Sequence, residues 1–150
     1  MDVGFSKSYS RIEKIVTIDF VSLVKATFHR VMSKVNIVEK LSLFHDYWNP
    51  RIVGALNGQH VKLVKFKGEF VWHKHDHEDE LFYVLKGRMR IEFRDKTVVL
   101  HENEFLIVPK GVEHKPVADE EVSVMLFEPD TTLNTGDIRS ELTRNTLERI

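Results

Sequence analysis

Three of the chain's eight histidines fall within five residues, in the run Trp72-His73-Lys74-His75-Asp76-His77-Glu78-Asp79-Glu80. Imidazoles and carboxylates at this density suit a divalent metal ion. On an extended strand, side chains two residues apart share a face and stand roughly 7 Å apart, at about 3.3 Å rise per residue. His73 and His75 can therefore aim at one ion, at metal–nitrogen distances of about 2.0 Å. A turn over Asp76 to Asp79 would bring Glu80 back as an oxygen ligand at the start of the next strand. His77 offers a competing pair with His75, or a residue that orients a ligand. The alternative is a solvated histidine-rich loop, and spacing alone leaves that choice open.

A second segment, Asn103-Glu104-Phe105-Leu106-Ile107-Val108-Pro109-Lys110-Gly111-Val112-Glu113-His114, reads as a strand, a Pro-x-Gly turn and a histidine. Proline sets φ entering the turn and glycine permits a left-handed residue leaving it, so His114 is held at a defined height on the following strand. Other positioning elements read as β after Asn49-Pro50: His60 to Lys67, Glu80 to Leu85, Arg88 to Arg94, Thr97 to Leu100, Glu104 to Val108 and Ser123 to Glu128. Arg88 to Arg94 alternates strictly, with Met89, Ile91 and Phe93 on one face and charges on the other, the pattern of a half-buried strand. Several short strands with regular turn signals predict an all-β sandwich or barrel. By parity Val71, Phe82 and Val84 share the ligand face, whereas Trp72 points away from it, toward packing or a subunit interface. His29, His45, His60 and His101 have no partners in sequence and read as ordinary surface or satisfied histidines.

Together the two segments resemble the paired motifs of the cupin superfamily. The first motif is matched by Gly68, His73, His75, Glu80 and Gly87, and the second by Pro109, Gly111 and His114. Three positions depart: Gly68 stands one residue closer to His73 than usual, Asn103 replaces a glycine, and Ala118 replaces an asparagine that is not a ligand. Asparagine also tolerates positive φ, so the turn at Asn103 is expected to survive. The resemblance implies a cupin jelly-roll β-barrel in which His73, His75, Glu80 and His114 bind one divalent transition metal, Fe, Mn, Ni or Zn. It runs from about Val35 to Ile150 and is closest to small single-domain cupins, a group often labelled mannose-6-phosphate isomerase-like. Isomerases with that barrel use a glutamine in the first ligand pair and are not matched residue by residue here, so the label is set aside.

The chain divides in this reading into an extension, residues 1–34, and a barrel domain, residues 35–150. Apolar residues from Lys14 to Val35 fall at helical spacing, and a second short helix is predicted over Ile37 to Phe44. Met32 is a plausible start of translation, so residues before it are expected to pack poorly on the barrel. The 150 residues carry 42% hydrophobic and 30% charged side chains, as an ordinary globular protein does. With 22 basic against 23 acidic residues, nothing in the charge favours nucleic acid or an anionic membrane. No apolar run of roughly 18 residues exists, no secretory signal is read, and no cysteine is present, which excludes disulfides and thiolate ligands. The expectation is a cytoplasmic protein, homodimeric by family analogy, acting on a small molecule. Its function reads as a metal-dependent dioxygenase, isomerase or hydrolase of unknown substrate, with His77 and Glu78 the only acid–base candidates beyond the ligands. The alternative is a non-catalytic module that binds or senses a small ligand.

Overall fold

The computed structural model of the protein describes Met1 and residues 34–150, and Val35–Ile150 forms one compact unit. The helical reading of Lys14 to Val35, except its last two residues, and the expectation about residues before Met32 lie outside the described residues, as does His29. Helix α1, Ile37–Leu41, starts where Asn36 Oδ1 accepts the Val38 and Glu39 amides at 3.1 and 3.3 Å. It stops three residues short of the expected Phe44. There the chain turns so that the Phe44 ring is buried, with the Arg51 guanidinium 5.2 Å from its centroid.

Seven strands follow: β1 Arg51–Leu56, β2 Gln59–Glu69, β3 Glu80–Lys86, β4 Arg88–Phe93, β5 Thr97–His101, β6 Phe105–Val108 and β7 His114–Pro129. β1 and β2 are joined by Asn57-Gly58, both at positive φ, the two-residue turn that matches strand twist. All pairings are antiparallel, in the order β1-β2-β7-β3-β6, with β4 paired to β7 and to β5. β7 is the hinge of the jelly roll. His114 to Val117 pair with β4, Val117 to Pro129 pair with β2, and Ser123 to Phe127 pair with β3. The register against β2 jumps from Gly68–Ala118 to Phe66–Val122, and Asp119 to Glu121 stand exposed. Such a break bends the strand, and one chain segment thereby pairs with β2, β3 and β4. Only Ser123 to Glu128 was expected as strand. The earlier part contains Pro116 and Ala118, which lack strand propensity, and tertiary pairing overrides them.

The alternation of β4 holds for Met89 and Ile91, which are buried in the core with Val64, Phe66, Val84 and Val124. Phe93 is only partly buried at its edge. Beyond Asp130 the chain forms no helix or strand, yet it is not loose. Thr135 is fully buried, Leu142 packs on the core, and Ile52 exchanges hydrogen bonds with Glu148 and Ile150 at 2.9 and 3.1 Å.

Candidate metal centre

The two sequence segments are stitched together by main-chain hydrogen bonds. His73 and His114 face each other across an isolated antiparallel bridge, N–H to O at 3.0 and 2.9 Å. The Pro109-Lys110-Gly111 turn, with Gly111 at φ 79°, sends the Gly111 amide to the His75 carbonyl at 2.7 Å. Asp79 Oδ1 accepts the Lys110 amide at 2.9 Å, closing the loop that leads to Glu80. Glu80 is the first residue of β3 and stands opposite Val108 of β6. Asn103 takes φ 68°, as expected of the residue replacing glycine there.

These contacts bring His73, His75, Glu80 and His114 together, all four buried, with one ligand atom from each within 4.8 Å of the others. The Nδ1 atoms of His73 and His114 lie 3.0 Å from the carbonyls of Val71 and Val112, each two residues back. A carbonyl only accepts, so those nitrogens carry the protons and both Nε2 lone pairs are left free for an ion. Among the described residues His75 Nε2, His114 Nε2 and Glu80 Oε2 have no hydrogen-bond partner, although Glu80 Oε2 stands 3.3 Å from the first and 3.4 Å from the second. Buried polar atoms left unpaired cost of order 1–3 kcal/mol each, so three converging ones fit a site built for a cation.

Electrostatics set the protonation. Burial, reinforced by His114, pushes the His73 imidazole down to about 4, leaving it neutral at physiological pH. Burial alone would lower His75 too, but the Glu80 carboxylate outweighs it and holds this ring above the ordinary value. Burial favours the neutral acid at Glu80, and the His114 and His75 rings beside it more than offset that, holding the carboxyl well below its usual range. The cluster therefore brings three imidazoles and a carboxylate together, an N3O donor set for a borderline divalent metal.

Beside it lies a cavity of about 20 Å³, enough for about one water. Its wall is aromatic: Trp48, Phe66, Phe70 and Phe82, with Asn134 from the C-terminal segment. Phe82 lies on the ligand face as parity predicts, whereas Val84 is core, away from the cavity. Phe70 takes the place expected of Val71, its ring 5.2 Å from that of His73. The reason is that the chain leaves the regular strand after Glu69, so parity carried across from the strand is lost. Trp48, which sequence reasoning missed, sits at φ 58°, a conformation that costs a bulky residue of order 1–3 kcal/mol. It is held by stacking on Phe66 at 4.3 Å and by its indole N–H on the Lys67 carbonyl at 2.9 Å. Trp72 points away, half-buried beneath the Arg94 guanidinium at 3.9 Å.

His77 is exposed and outside the ligand set. With Glu78 it lines an outer groove of about 220 Å³, shared with His75, Asp76, Asp137 and Arg139. His45 and His101 are exposed, and His60 is half-buried, 3.5 Å from an Arg149 nitrogen. Sequence reasoning also missed a buried ion pair on the inner faces of β2 and β7, Lys62 Nζ to Glu128 Oε1 at 2.6 Å. No local pattern distinguishes Lys62 from the exposed lysines around it.

Comparison with known proteins agrees with this geometry. The family described as Cupin domain matches residues 60–137. A cupin-2 domain containing protein from Shewanella frigidimarina is 45% identical, with TM-score 0.63, covering 69% of this chain and 98% of that one. A Neisseria meningitidis protein is 30% identical at TM-score 0.61, covering 65% of this chain and all of the other. The uncharacterised protein YdbB of Bacillus subtilis is 45% identical over 64 residues, 42% of this chain. That match spans 57% of YdbB, little over half its length. The chain belongs to the cupin superfamily.

Proposed function

We propose that this protein is a metal-dependent small-molecule enzyme of the cupin type, holding one divalent ion on His73, His75, Glu80 and His114. The observation that supports it is the convergence of three buried, unpartnered ligand atoms on one point beside a cavity of water size. Three neutral imidazoles and one carboxylate suit Fe(II), Mn(II), Ni(II) or Zn(II), and leave such an ion one net positive charge. An ion so held supplies Lewis-acid polarisation of a substrate oxygen or activation of bound water, or dioxygen chemistry in the case of iron.

The chain's own contribution is orientation and dryness. The carbonyls of Val71 and Val112 fix two imidazole tautomers, and the aromatic wall keeps the open side at low dielectric. Apart from the ligands, no titratable side chain lines the inner cavity among the described residues. A reaction here would therefore rely on the ion to hold and activate its substrate. A chelating or anionic small molecule, such as a hydroxy acid, diketone or sugar derivative, complements that charge. A non-catalytic small-ligand module is the second reading, favoured by this same lack of an acid–base partner.

Elemental analysis of protein purified without added metal or chelator tests the site. About one equivalent of a transition metal is expected, and none after reconstitution sinks the reading. Oxygen uptake or substrate turnover by the loaded protein separates the enzyme from the binding module. The proposal extends to a homodimer through β6, an edge strand on which Phe105 and Ile107 are 59% and 50% exposed. Sedimentation of Ile107→Lys is expected to give a monomer, and a parent that is itself monomeric overturns the dimer.

A further inference from the structure

Among the described residues, the segment carrying the first two histidines has no continuous strand beside it. On one side His73 is bridged to His114, and the His75 carbonyl takes the Gly111 amide. Both backbone polar groups of Lys74, which lies between the histidines, go instead to a single residue of the C-terminal segment. The Lys74 amide donates to Asp137 Oδ1 at 3.1 Å, and the Asp137 amide donates to the Lys74 carbonyl at 3.0 Å. One side chain and one amide thus replace the pair of hydrogen bonds a neighbouring strand would make.

Two features show this contact to be built into the fold. Gly136 has φ 53°, and a Cβ there would sit 2.0 Å from the Lys74 carbonyl oxygen and 3.3 Å from His75 Nδ1, so only glycine allows the approach. The segment is also anchored behind the contact. The Asn134 side chain donates to the Leu142 carbonyl and accepts the Arg144 amide, both at 2.8 Å, and buried Thr135 meets Thr143 Oγ1 at 2.9 Å.

We propose that Asp137 is a positioning residue for the metal centre, clamping the Lys74 backbone and so fixing the nearly perpendicular arrangement of the His73 and His75 rings, 89° at 5.1 Å. The inference rests on the metal-binding reading above. Its test is cobalt(II) binding by the full chain, followed by competition with a chromophoric chelator and by the d–d absorption spectrum.

Asp137→Ala is expected to weaken cobalt about tenfold and to shift the spectrum, because the histidine pair loses its support. Asp137→Asn keeps an oxygen acceptor at the same place and should stay within about threefold of the parent with an unchanged spectrum. Asp76→Ala removes the same charge beside the same histidine, from a residue whose carboxylate pairs with the Lys74 ammonium at 2.7 Å, and should leave both readouts alone. Metal-free melting of these variants should stay close to that of the parent, which separates positioning from general destabilisation.

Cobalt affinity and spectrum unchanged in Asp137→Ala, or an equal loss in Asp76→Ala, overturns the clamp while leaving the metal centre intact. A parent that binds no cobalt overturns the metal centre and the clamp with it. Should Asp137→Ala not fold, Gly136→Ala replaces it. Its methyl must push the segment off Lys74, with the same loss expected and the same null result decisive.

Discussion

Two groups of buried polar side chains share the interior of this barrel and meet the cost of burial in opposite ways. Lys62 and Glu128, 1% and 2% exposed, neutralise each other through a 2.6 Å contact. Burial and the nearby Glu80 charge push the Glu128 carboxyl up, and the Lys62 ammonium opposes them. Among the described residues only Glu128 Oε2 is left without a partner in that pair. In the cluster of His73, His75, Glu80 and His114 the unpaired atoms are several and converge. The first group is close to complete as the chain folds. The second leaves converging donor atoms able to bind a metal ion, and that contrast separates a structural ion pair from a candidate ligand site better than burial does.

The largest effect should come from breaking the second group. His75→Ala and Glu80→Ala are each expected to reduce bound metal from about one equivalent to none by elemental analysis. Metal retained in both would mean that the ion, if any, sits elsewhere. Breaking the first group should cost stability and leave metal in place. Lys62→Met strands a buried carboxylate, with an expected loss of about 3–5 kcal/mol in urea unfolding. The double variant Lys62→Met/Glu128→Leu should recover most of it, and a double variant no better than the single one would mean the pair has a role beyond mutual neutralisation.

Acid should separate the two groups further. The folded value of His73, about 4, lies below its unfolded value of about 6.5, so the unfolded chain takes up this proton first. Stability from that difference is present above about pH 6.5 and is lost as pH falls to about 4, amounting to about 3 kcal/mol. Glu80, also held low, loses its share as pH falls below the ordinary carboxylate range, while His75, held high, contributes in the opposite sense. Urea midpoints of metal-free protein should therefore decline across this window, and less steeply in His73→Gln. Equal slopes in the two proteins would show that His73 is not the group responsible.

Some of this was legible from local pattern alone. Period-two alternation over Arg88 to Arg94 located β4, the Pro109-Lys110-Gly111 turn set the placing of His114, and the tolerance of asparagine for positive φ foretold Asn103. The Asn57-Gly58 hairpin was equally readable, and went unread. The cavity wall was harder, because parity fails where the chain leaves the pleat, and Phe70 rather than Val71 reached the histidines. The first part of β7 was hidden by Pro116 and Ala118, whose propensities say nothing of β4 lying alongside.

What the sequence determined by itself is therefore the set of strands with strong alternation and the turns with special φ, while the four-residue ligand set came from the resemblance of its two motifs to those of cupins. The strands and turns depend on interactions within a few residues, which composition and periodicity encode directly. Tertiary structure alone decided that Lys62 meets Glu128 across 66 positions and that Asp137 meets Lys74 across 63. It also put Trp48 against Phe66 at a backbone angle its own preferences oppose. Such contacts depend on which segments the barrel brings side by side, and no local pattern carries that information.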